Sequence, residues 1–223
     1  MIAFVGDTHG DFGIFHRISN DLVPRDVQVI QVGDFGVVPN LVTKWKRVKQ
    51  FDKPIFFIDG NHEYFPLLTT CKKPSAIAEG LVYVPRGTVL EIDGIKIGFC
   101  GGGLSIDRRI RTPGFDWFFE EAITRKDVQK FYSVGKLDLL VTHVPPAYFI
   151  RENPDIGDPV ILGYYGFPGN FIDSNSMMVE DIWNMVGNPP LICGHMHNSK
   201  SDGKVRVLGV GEVFVYDPIS MEL

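Results

Sequence analysis

Asp7, Asp34 and Asn61 each close a short apolar run, and each stands twenty-seven residues after the one before. The runs are MIAFV at 1–5, VQVIQV at 27–32 and PIFFI at 54–58. One βαβ unit takes about 30 residues. The spacing therefore predicts three neighbouring parallel strands with their carboxyl ends on one edge, where open α/β sheets build their sites. Helical spacing of Ile14, Phe15, Ile18 and Leu22 predicts a helix over 13–22, stopped by Pro24, and residues 40–50 suit a second, amphipathic helix.

The rhythm then changes. Residues 81–84, 88–92 and 95–99 read as short strands, with Asp93-Gly94 as a hairpin turn. The stretch from Gly101 to Phe119 is loop-like, and a helix is expected over 125–134. Residues 137–142 form a strand ending at His143. Residues 145–173 are rich in proline and glycine and predict an irregular lid or substrate-binding loop. A helix over 174–187, capped at Ser174 or Asn175, precedes a strand at 190–193 and two more around Gly209 and Gly211. The expected fold is α/β: a βαβαβ half joined to a mixed, β-rich half, as two facing sheets with helices outside, in one domain over 1–223.

Composition narrows the function classes. With 44% hydrophobic and 22% charged residues, the chain is neither disordered nor collagen-like. A formal charge of −5 argues against broad nucleic-acid binding, which needs a basic footprint. It admits a small phosphate-bearing substrate, because bound cations invert the local field. Cys71, Cys100 and Cys193 have no CxxC spacing and an odd count, so reduced thiols and a cytosolic setting are expected. MIAFVGDTHG lacks a basic leader and no apolar run approaches 18 residues, so neither a signal peptide nor a membrane span is expected.

Five of the six histidines lie just after apolar runs, beside turn residues: Asp7-Thr-His9, Asn61-His62-Glu63, Thr-His143-Val-Pro and Gly-His195-Met-His197. His16 falls outside these motifs, in the first helical stretch, and is expected to serve packing or the surface. Imidazole and carboxylate together suit borderline divalent transition metals. The pattern points to a metal-dependent enzyme with two ions.

Taken in order, Asp7-x-His9, Gly33-Asp34, Gly60-Asn61-His62-Glu63, His143 and Gly194-His195-x-His197 resemble the calcineurin-like metallophosphoesterase superfamily. The resemblance implies a four-layer α-β-β-α sandwich of two mixed sheets. It implies that Asp7, His9 and His197 bind one metal, that Asn61, His143 and His195 bind the second, and that Asp34 bridges both. Such a pair would acidify a shared water for in-line attack on phosphorus. His62 would then be the general acid that protonates the leaving alkoxide. Glu63 is expected to serve a helix N-terminus. Mn²⁺ is the first choice of metal, with Fe, Zn, Co, Ni or Mg as alternatives.

The chain departs from the serine/threonine phosphatases of that superfamily, which carry Asp-Arg-Gly just after the second motif. Here the motif continues Phe35-Gly36-Val37-Val38-Pro39, without that aspartate or arginine. The stretch Gly101-Gly102-Gly103-Leu-Ser105-Ile-Asp107-Arg108-x-x-Arg111 is similar to small bacterial and phage members. Arg108, Arg109 or Arg111 are candidates for the missing phosphate clamp, with Arg108 and Arg111 preferred, and Asp107 is a candidate to orient a site histidine. The expected activity is phosphoester hydrolysis with a phosphodiester or nucleotide preferred. A protein phosphatase or phosphomonoesterase is the alternative, and a metal-bound interaction scaffold a third reading.

Overall fold

The structure, a computed structural model, describes residues 1–19, 24–45, 51–169, 171–218 and 223. In chain order its elements are β1 (Ile2–Val5), α1 (Gly13–Arg17), β2 (Gln28–Gln31), α2 (Leu41–Trp45), β3 (Ile55–Phe57), β4 (Ser75–Ala78), β5 (Leu81–Tyr83), β6 (Thr88–Ile92) and β7 (Ile95–Cys100). There follow α3 (Arg125–Gln129), β8 (Leu139–Thr142), α4 (Ala147–Glu152), α5 (Pro159–Tyr164), α6 (Ser174–Met185), β9 (Leu191–Cys193), β10 (Lys200–Ser201), β11 (Val205–Val207) and β12 (Val213–Tyr216). The far ends of the helices expected over 13–22 and 40–50 lie outside the described residues.

The strands form two six-stranded mixed sheets, ordered β12-β1-β2-β3-β5-β4 and β10-β11-β9-β8-β7-β6. Strand side chains alternate between faces, and here the alternation sorts them into three cores. From β1, Ala3 and Val5 pack outward with Phe15 of α1 and Leu41 and Trp45 of α2. Ile2 and Phe4 pack inward with Ile97, Phe99, Leu139 and Val141 of the opposite sheet. On the far side, Leu140 and Leu191 meet Phe149 of α4 and Val179 and Ile182 of α6. Three cores require four layers, so helices flank two facing sheets. Each fully buried Phe, Leu or Ile in these cores contributes roughly 1.5–3 kcal/mol.

β1, β2 and β3 run parallel, as the equal spacing predicts, and so do β7, β8 and β9. The Asp93-Gly94 turn joins antiparallel β6 and β7 with both residues at positive φ, 50° and 80°, the backbone of a two-residue type I′ hairpin. Local details differ from expectation, among them the unpredicted edge strands β4 and β10. Residues 145–173 contain α4 and α5. Asp173 caps α6, its Oδ1 accepting from the N–H groups of Asn175 and Ser176 at 2.6 and 3.0 Å. α3 ends at Gln129, earlier than expected.

Candidate metal centre

Every motif sits at the carboxyl end of a parallel strand. Asp7 and His9 follow β1, Asp34 follows β2, Asn61 and His62 follow β3, His143 follows β8, and His195 and His197 follow β9. The first five thus come from one sheet and the last three from the other. Two clusters result: Asp7, His9, Asp34 and His197, then Asp34, His143 and His195, with ligand-type atoms within 4.8 Å of one another in each. Asp34 belongs to both.

Local backbone choices bring these atoms together. His9, Asp34, His195 and His197 all have positive φ, between 46° and 70°. That region is uncommon for residues with a Cβ, and its cost of order 1–3 kcal/mol each persists where the surroundings enforce it, often at functional sites. The glycines of the motifs leave room for ligands. A Cβ at Gly60 would collide with the Asp34 carboxylate, one at Gly194 with the Asp7 carboxylate, and one at Gly33 with the His143 ring.

Hydrogen bonds orient the donors. The His143 Nδ1 lies 3.0 Å from the Val32 carbonyl. It must donate there, which turns Nε2 toward Asp34 Oδ1 at 3.4 Å and Asn61 Oδ1 at 3.2 Å, where it is an N–H donor without metal and a ligand atom once a cation takes the place of its proton. The Asn61 amide nitrogen donates to Ser105 Oγ at 3.2 Å, and Ser105 in turn gives its hydroxyl and backbone N–H to the buried Glu121 carboxylate at 2.7 and 2.9 Å. The amide oxygen of Asn61 is thereby turned toward the cluster. Asp34 Oδ1 accepts the His62 backbone N–H at 2.8 Å, whereas Asp34 Oδ2 is buried and has no hydrogen-bond partner among the described residues.

A divalent cation fits this arrangement. A buried carboxylate oxygen without a hydrogen bond carries a large desolvation cost, which a shared cation offsets. The His9 and His197 Nε2 atoms lie 3.1 Å apart, and His197 Nε2 lies 3.3 Å from Asp7 Oδ2. Donors with metal bonds of about 2.0–2.2 Å sit about 3–3.5 Å from each other.

The electrostatics fit as well. Burial raises the Asp34 carboxyl, but His143, His62 and His9 together hold it well below the usual carboxylate range. Burial lowers His143 while Asp34 lifts it, with a net value of about 9. Burial and His143 push His195 down to about 3, so it presents a neutral ring.

His62 stands 4.0 Å from Asp34 Oδ2. One guanidinium nitrogen of Arg111 lies 2.9 Å from its Nδ1 and 3.1 Å from its Nε2, so Arg111 rests on the ring rather than at one lone pair. Asp107 holds Arg111 at 2.7 Å. An aspartate–arginine pair therefore reaches His62 from the segment after β7, where no Asp-Arg-Gly follows the second motif. Burial lowers His62, Asp34 pulls it back up, and Arg111 lowers it again, leaving it below its ordinary value. Arg108 and Arg109 are exposed in the 3₁₀ turn Arg108–Ile110.

Glu63 serves no helix. Its buried carboxylate accepts the N–H groups of Phe35, Gly36 and Val37 at 2.7, 3.2 and 2.6 Å and pins the loop that carries Asp34. Burial and Asp34 push Glu63 up to about 8 against those donors. Asp59 is a further support that the motifs alone do not reveal. It accepts from Tyr83 Oη at 2.8 Å and from Arg86 Nε at 2.8 Å, and Arg86 also donates to the carbonyls of Glu120, Glu121 and Ala122. Cys193 is buried in the outer core, and no cysteine is disulfide-bonded.

The family model for calcineurin-like phosphoesterases matches residues 1–199. The chain belongs to the calcineurin-like phosphoesterases. Its activity class is accordingly that of a phosphoric ester hydrolase, and its clustered aspartates and histidines are compatible with the metal dependence of the family. A search of curated proteins finds no match to this calcineurin-like phosphoesterase. Among the described residues, no helix is long and apolar enough to cross a membrane.

Proposed function

We propose that the chain hydrolyses phosphoesters, preferring a phosphodiester or nucleotide, with Asp7, His9 and His197 holding one divalent ion, Asn61, His143 and His195 a second, and Asp34 shared between them. The observation that carries this reading is the buried Oδ2 of Asp34, which lies between the two clusters and accepts no hydrogen bond among the described residues. When bound, two such ions supply an acidified water for attack at phosphorus and positive charge for the phosphoryl oxygens. The mixed nitrogen and oxygen donors suit Mn²⁺, with Fe, Zn, Co, Ni or Mg as alternatives.

His62 is the general acid in this reading, since it lines the cavity beside Asp34. Arg111 is the phosphate contact. An anionic ester beside Arg111 offsets the guanidinium charge that holds His62 down, and so favours the imidazolium needed to protonate the leaving oxygen. The exposed Arg108 is a weaker candidate for substrate contact.

The test is turnover of bis(p-nitrophenyl) phosphate beside p-nitrophenyl phosphate, after chelation and separate return of Mn²⁺, Zn²⁺ or Mg²⁺. Metal-dependent diester cleavage is expected. Cleavage of the monoester alone would move the protein toward phosphomonoesterases or protein phosphatases. Two bound ions without turnover of either would favour an interaction scaffold. Asp34→Asn should cost more activity than any other single ligand change, because it touches both clusters. A smaller loss than that of His9→Ala would remove Asp34 from the shared position.

A further inference from the structure

A cavity of about 400 Å³ opens beside Asp34, Asn61, His62 and His195. Its walls away from those residues are apolar: Leu104 and Ile106 after β7, Ile161, Leu162 and Tyr165 on and just after α5, and Met196 between the two terminal histidines. The polar side chains set among them include three carboxylates, Asp107, Asp158 and Asp173. No lysine or arginine lines the cavity among the described residues. Arg111 lies on His62 at the reacting end and is paired to Asp107.

The distribution of charge limits what can occupy this space. A second phosphate or a carboxylate there would lose water, meet no cation and face two carboxylates, Asp158 and Asp173, beyond the reacting end. An apolar group would bury surface against five or six hydrophobic side chains. Ile161 is 49% exposed and α5 buries none of its side chains, so this wall has apolar surface left to cover. His62 lines the same cavity, which places the leaving alcohol, not the retained group, on this side.

We propose that the substrate is a phosphodiester with a single negative charge whose leaving alcohol is bulky and largely apolar, and that the wall formed by α5 with Leu104 and Met196 selects it. This rests on the hydrolase reading above. In the reaction a water oxygen bonds to phosphorus and gives up one proton to solvent, the bond from phosphorus to the alcohol oxygen breaks with its electron pair on that oxygen, the oxygen takes a proton from His62, and His62 regains one from solvent. Nucleoside di- and triphosphates, phosphoproteins with acidic surroundings and polynucleotides are disfavoured by the same charge count.

The experiment compares methyl 4-ethylphenyl phosphate with methyl 4-(carboxymethyl)phenyl phosphate, whose leaving phenols have similar acidity and size and differ in distal charge. On the Mn²⁺-loaded protein, kcat/KM for the ethyl ester should exceed that for the carboxymethyl ester by about tenfold or more. Ile161→Lys, at an exposed position, should bring the ratio down toward one, and Ile161→Glu should leave it high or raise it. Equal kcat/KM for the two esters, or a ratio that neither variant moves, overturns the proposal. If the loaded protein cleaves neither ester nor bis(p-nitrophenyl) phosphate, the hydrolase reading fails by itself. Calorimetric binding of the same two esters then decides the cavity: tighter binding of the ethyl ester sustains the selection, and equal or absent binding overturns it.

Discussion

Ser105 stands one hydrogen bond behind Asn61, and Glu121 one behind Ser105. Outer partners of this kind typically govern ligand affinity by 10–100-fold. Ser105→Ala should weaken binding of the ion assigned to Asn61, His143 and His195 by about 10–100-fold; metal titration by calorimetry reads it. An unchanged affinity would mean that the Asn61 amide needs no such restraint. His143 gives a second residue-scale test. Its pKa is raised to about 9 in the fold against 6.5 as a free side chain, so its pairing with Asp34 stabilises the chelated protein fully below pH about 6.5 and is lost as pH rises through about 9. Melting temperature in chelator should fall across that window, and His143→Gln should flatten the fall. The ligand candidates were legible because each motif joins a chemical residue to a strand end. Ser105, Glu121 and Asp59 were not, since nothing in their spacing says which of several nearby polar groups they touch. Arg111 was legible only as one of two preferred arginines, and its place on His62 is set by Asp107, four residues back.

The elements behave as their local chemistry demands, and each departure from expectation has a local cause. Proline and glycine between 145 and 173 argue for irregular chain, yet Pro159 occupies the first turn of α5, where its missing N–H costs nothing, and Asp158 caps that helix through the N–H groups of Val160 and Ile161. β4 and β10 escape a pattern search because Ser75–Ala78 and Lys200–Ser201 are short, half-exposed edge strands. Glu63 belongs to this scale too, because it fixes a loop rather than a ligand. Glu63→Ala leaves three loop N–H groups without their acceptor, two of them on fully buried residues. A loss of about 1–3 kcal/mol is expected in urea unfolding, with weaker metal binding following from the freed Asp34 loop. Unchanged stability would mean that water satisfies those groups.

Across the whole molecule the candidate centre is a joint between sheets. Asp7, His9, Asp34 and Asn61 belong to one sheet, and His143, His195 and His197 to the other. Ions held there bind the folded state and not the unfolded chain. An ion at one hundred times its dissociation constant should therefore add about 2.7 kcal/mol, read as a rise in melting temperature over the chelated protein. Hydrogen exchange should locate the gain at the strand ends of both sheets; protection confined to one sheet would contradict a shared centre. The parallel half was readable from the regular spacing of Asp7, Asp34 and Asn61, and the two facing sheets from the change to a β-rich second half; the sorting of β1 side chains into two cores was not, because all five residues of MIAFV are apolar.

The division of ligands between sheets also orders events in time. Each cluster needs a residue from near the end of the matched region: His197 completes the first and His195 the second. A ribosome that has delivered only the βαβαβ half has made four of the seven donors and neither complete set. On the proposed assignment loading comes late in biogenesis, after β9 has docked, and nascent chains stalled before residue 195 should bind ions more weakly on a chelating column than chains that have passed residue 197.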